Sequence, residues 1–89
     1  MHKDDIIIDY RVVKGSELPN MKNIMGSIYN YVQNNPVYFS HEPSFVNGVL
    51  IFGIVGLKHN HVNLQRMMGA NIAASGGKLE VMVDRSELG

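Results

Sequence analysis

Val49-Leu50-Ile51-Phe52-Gly53-Ile54-Val55-Gly56-Leu57 is an apolar run with no alternation, bounded by Gly48 and Lys58. It is too short to cross a bilayer as a helix. It is also rich in β-branched residues, and such a run reads as a strand buried on both faces. Two-sided burial is hard to arrange inside one small subunit, so the run points to a partner.

The segments on either side set the fold. Ile6 to Val13 is β-branched and partly alternating, which predicts a strand. Ile6, Ile8, Tyr10 and Val12 share one face, and Ile7, Asp9, Arg11 and Val13 the other. Lys14-Gly15-Ser16 reads as a turn. Met21, Ile24, Met25, Ile28 and Val32 recur with a helical period and predict a helix over 18–34. Ser16 or Asn20 would cap it, Pro19 is tolerated in its first turn, and Asn34-Asn35-Pro36 stops it. Val37 to His41 reads as a short strand, and Glu42-Pro43-Ser44 as a turn. The long apolar strand then covers 46–58, unless Asn47-Gly48 forms the hairpin turn, as that dipeptide favours. Leu64, Met67, Met68 and Ile72 predict a second helix over 61–74, with Asn60 or Asn63 as its cap and Ser75-Gly76-Gly77 at its end. Leu79, Val81 and Val83 alternate with polar positions in a last strand.

The resulting order, β-α-β-β-α-β over a single domain of residues 1–89, resembles the split βαβ arrangement of ferredoxin-like α+β folds. Right-handed crossovers imply an antiparallel sheet of order 4-1-3-2 with both helices on one face. The most apolar strand, the third, then falls in the centre. The other face of the sheet has no helix to cover it.

Composition narrows the function classes. There is no cysteine, which excludes disulfides and thiolate chemistry. Formal net charge is zero, from eight basic and eight acidic residues, and no basic cluster suited to nucleic acid appears. Nothing resembles a signal peptide or a membrane span, so a cytoplasmic protein is expected. Charged residues are only 18% of the chain and there are six methionines; both biases favour self-association. An apolar patch on the helix-free face would exceed what a monomer usually exposes. The expected oligomer interface is Ile7, Val13, Phe52, Ile54, Val55 and Met82. The alternative is that loop 40–48 folds back over that face.

Candidate chemistry is sparse. His59 and His61, with His41 or Glu42 from the neighbouring hairpin, are candidate metal ligands if 59–61 is a loop. The simpler reading of His59-Asn60-His61 is a polar segment leading into the helix. Ala74-Ser75-Gly76-Gly77-Lys78 lacks phosphate-loop spacing and follows a helix, where the dipole repels phosphate. Gly15 and Ser16 sit where ACT-type domains hold small ligands, an architectural resemblance without that family's acidic turn. RNA-recognition domains share the topology and stack bases on aromatics of the first and third strands, here Tyr10 and Phe52. The leading basic residue and paired aromatics of that motif are missing from 47–53. Acylphosphatase-like enzymes need an Arg in the loop after the first strand and an Asn on the third, and neither is present. No Ser-His-Asp set can be placed together from sequence. Asp9 and Arg11 read as a surface ion pair, and Tyr29, Tyr31 and Tyr38 as rim packing. The sequence therefore predicts a small non-catalytic homo-oligomer without a cofactor, binding another macromolecule as a regulator or inhibitor. The alternative is a metabolite sensor near Gly15.

Overall fold

The computed structural model describes residues 4–14, 21–47 and 49–84. In chain order they form β1 (Ile6–Lys14), α1 (Met21–Asn34), β2 (Tyr38–Val46), β3 (Val49–Gly56), α2 (Lys58–Ala74) and β4 (Gly77–Asp84). The strands make one four-stranded sheet of order β2-β3-β1-β4 with every neighbouring pair antiparallel. This is the expected order counted from the opposite edge. The apolar run is β3, flanked by β2 and β1, so both of its backbone edges are hydrogen-bonded within the sheet.

One core lies between the sheet and the two helices. Ile8, Tyr10 and Val12 of β1 and Leu50, Phe52 and Ile54 of β3 enter it together with Ile24, Ile28 and Tyr31 of α1 and Leu64, Met68 and Ile72 of α2. Both helices thus pack on the same side of the sheet. The β1–β3 register pairs Tyr10 with Phe52 and Ile8 with Ile54, and directly paired residues share a face. Tyr10 and Phe52 stack with ring centroids 5.3 Å apart. Phe52 and Ile54 are therefore core residues, each 1% exposed, and are not available to an oligomer interface as the sequence reading expected. The apolar run has no alternation of its own, and only its register against the alternating β1 decides which residues face the helices.

α1 ends as its asparagines dictate. Asn34 Nδ2 donates to Asn30 O and Asn35 Nδ2 donates to Tyr31 O, which occupies carbonyls that the helix end would leave open. The expected caps at its start, Ser16 and Asn20, lie outside the described residues. α2 begins three residues earlier than the apolar period suggested. Leu57 is its N-cap, with no side-chain cap bond, so neither Asn60 nor Asn63 caps it. Asn60 instead sits in the first turn, buried, with its carbonyl accepting from Tyr31 Oη at 2.9 Å. Met67, expected on the buried stripe, is exposed. The glycine end of α2 forms as expected: Gly76 takes φ +87°, a left-handed turn that glycine enters without a Cβ penalty.

β2 differs most from expectation. Residues 42–44 are not a turn; the strand runs on to Val46 through register shifts between Phe39 and His41 and between His41 and Ser44. Pro43 falls within the second shift, where a missing N–H does not interrupt a ladder bond. β3 starts at Val49. Val46 pairs with Val49, and Asn47 has φ +53°, the left-handed geometry a two-residue hairpin turn requires. Residues 40–46 are thus strand, and do not fold over the helix-free face.

Candidate functional site

The helix-free face is laid out in rows across the sheet. Tyr38, Val55 and Ile7 form one row, and His41, Gly53, Asp9 and Val83 the next. Ser44, Ile51, Arg11 and Glu80 follow. At the far end lie Val46 beside Val49, and Val13 beside Lys78. No described element packs on this face, which is apolar at both ends and carries a polar belt across its middle. Of the expected interface residues, Ile7, Val13 and Val55 lie on it. Val55 is only 3% exposed, whereas Tyr38, its neighbour on β2, is 47% exposed. Met82 sits at the sheet edge, where β4 bulges between its pairings to Tyr10 and Asp9, and is exposed.

The polar belt is paired across strands. Arg11 Nε donates to Glu80 Oε1 at 2.8 Å, and Lys78 Nζ lies 3.9 Å from Glu80 Oε2. Arg11 therefore pairs with β4 and not with Asp9 on its own strand. With these side chains partly exposed, the Arg11–Glu80 bridge contributes under about 1 kcal/mol.

Gly53 marks a notch in the middle of the face. A Cβ there would collide with Ser40 Oγ, lie 2.7 Å from Asp9 Oδ1 and lie 3.3 Å from His41 Cβ. The β2 bulge turns both Ser40 and His41 toward this point, a re-aiming that bulges commonly produce. The structure thus brings together Asp9, Ser40 and His41, a set with no signal in the sequence. Neither Ser40 nor His41 makes a side-chain hydrogen bond among the described residues, so the nucleophile–base contact that would activate a serine is not formed. The cavity bordered by Asp9, His41, Ile51 and Met82 holds about 120 Å³. Metabolite pockets usually span about 300–1,000 Å³, so this cavity is small for one.

The three candidate metal ligands are kept apart. His41 is on the helix-free face and His59 is exposed in the first turn of α2. His61 is 1% exposed between the sheet and the helices. Its Nε2 lies 3.0 Å from Ile6 O, and its Nδ1 lies 2.8 Å from Tyr10 Oη. A carbonyl only accepts, so Nε2 carries the proton and the neutral ring accepts from Tyr10 at Nδ1. Gln65 Nε2 donates to the same phenol oxygen at 3.2 Å. Both ring nitrogens are thus occupied, and the described residues contain no group of three metal-binding side chains. The spacing His61, Leu64, Met68, Ile72 already placed this histidine on the buried stripe of α2, a signal the loop reading passed over.

Gly15 and Ser16, the candidate ligand-binding residues, lie outside the described residues. Tyr10 and Phe52, the aromatics an RNA-recognition surface would need, are buried against each other on the helix side. Of the tyrosines, Tyr31 belongs to the core, Tyr29 packs edge-on against Phe39 at 5.2 Å, and Tyr38 is on the open face. No described helix is long and apolar enough to cross a membrane. No protein-family model matches the chain, and no curated protein or solved structure is significantly similar to it.

Proposed function

We propose that this chain is a small non-catalytic interaction protein of ferredoxin-like topology, acting in the cytoplasm as a homo-oligomer that binds another macromolecule. One observation carries the reading: one whole face of the sheet has no covering element among the described residues, yet it holds Ile7, Val13, Tyr38, Val49 and Ile51 around a polar belt. Taken as a whole, an interface between folded proteins that also exist apart is only about as apolar as the rest of their surface, so the polar belt does not disqualify this face. The charges along the belt have both signs, Asp9 and Glu80 against Arg11 and Lys78, so the surface suits a second copy as well as a different protein. Regulation or inhibition of the bound macromolecule is the activity such a surface would supply.

The test is the solution mass of the wild type and of Tyr38→Asp. Tyr38 is exposed on this face, so the substitution leaves the core untouched. The reading expects an oligomer that the variant weakens while staying folded. A wild type that is monomeric at every accessible concentration removes the homo-oligomer from the reading.

A further inference from the structure

The two edges of the sheet are not equivalent. β2, at one edge, is interrupted twice by register shifts and contains Pro43. Both are devices that keep an edge strand from pairing with another chain. β4, at the other edge, has no proline and a single shift, where Met82 is skipped between Val81, paired with Tyr10, and Val83, paired with Asp9. Gly77 to Val81 is therefore a regular stretch with one backbone edge bonded to β1 and the other directed away from the sheet. Val81, Met82 and Val83 are consecutive exposed apolar residues at 48%, 46% and 38%. Consecutive exposed apolar groups on an edge form a template for another strand.

We infer that β4 pairs antiparallel with β4 of a second copy, joining two sheets into one continuous sheet about a two-fold axis at Leu79. This rests on the reading that the protein self-associates, and it names the strand that does so. Charge selects the register. Lys78 and Glu80 both lie on the helix-free face, opposite Val13 and Arg11. An axis at Leu79 sets Lys78 of each copy against Glu80 of the other, on both sides of the axis. Moving the axis one residue either way sets Lys78 against Lys78 or Glu80 against Glu80. Opposite charges directly across a ladder stabilise it and like charges oppose it. Leu79 is also the midpoint of the regular stretch Gly77–Val81. At either end of that stretch Val81 meets Gly77 of the second copy, which has no side chain to obstruct it. The bulge at Met82 ends the ladder, as bulges do. A formal net charge of zero leaves little long-range repulsion between copies. The two helix-free faces then become one surface of twice the width, still open to a different partner.

Charge reversal tests this. Light scattering over a dilution series is applied to the wild type, Lys78→Glu, and the swap Lys78→Glu with Glu80→Lys. Tyr38→Asp is run beside them. Lys78 is exposed, so its reversal does not disturb the core. The expected result is a wild-type dimer that Lys78→Glu weakens about tenfold or more, through two like-charge pairs, and that the swap restores in part, since it also removes the Arg11–Glu80 bridge. Amides within 77–81 should also exchange more slowly as concentration rises. A dimer broken by Tyr38→Asp but unmoved by Lys78→Glu overturns the edge pairing and leaves the face contact standing. A wild type that remains monomeric overturns both.

Discussion

A methyl group at Gly53 has no room: Ser40 Oγ, Asp9 Oδ1 and His41 Cβ all crowd the position. Gly53→Ala must displace the two flexible oxygens, and we expect a loss of about 1–2 kcal/mol of stability in denaturant unfolding. An unchanged midpoint would show that the notch is looser than described. In the core, the bond from Tyr10 Oη to His61 Nδ1 joins β1 to the first turn of α2 across 51 positions of sequence. Tyr10→Phe keeps the ring stack on Phe52 and removes only the hydroxyl. It should cost about 1–3 kcal/mol, because a buried hydrogen bond is lost while the imidazole stays buried. Equal stability in thermal melts would contradict the role given to this bond. At this scale the sequence was only partly legible. The alternation of Ile6, Ile8, Tyr10 and Val12 identified the buried face of β1 directly. β3 offered no such alternation, so the sequence could not separate Phe52 and Ile54, which face the helices, from Val55, which lies on the helix-free face. His61 looked like a ligand because its partners, Tyr10 and Ile6, are remote in sequence.

Elements were read well where local signals end them. The asparagines after α1 and the glycines after α2 stop those helices by side-chain and left-handed capping, both local effects. Gly76→Ala places a Cβ at φ +87° and should destabilise the fold by about 1 kcal/mol. No change in unfolding midpoint would mean that the helix ends in another geometry. Asn60 reads as a cap in the sequence, whereas the true N-cap, Leu57, has no capping side chain, and Asn60 and His61 are buried inside the helix that follows. β2 was cut short at Pro43 by a sound local rule. A bulged edge strand accommodates proline, and neither the bulge nor the edge position is written in the local sequence.

At the scale of the whole molecule, topology followed from the order of elements, since crossover handedness leaves few arrangements for β-α-β-β-α-β. The placement of the most apolar strand in the sheet centre agrees with that. The character of the helix-free face did not follow. Asp9 and Arg11 were legible there from the alternation of β1, but the full layout, two apolar ends separated by Asp9, His41, Ser44, Arg11 and Glu80, depends on the cross-strand register. Such a face need not be sealed for the monomer to remain soluble, and it can discriminate between partners through its charges. Among the described residues the edges add a second asymmetry: β2 carries a proline and two register shifts, β4 a single shift. The proposed association rests on these two features. The most direct measurement is the solution mass of the wild type across a dilution series, with Tyr38→Asp beside it. The account predicts an oligomer that dissociates on dilution, and sooner in the variant. A mass that stays at one chain throughout would contradict it.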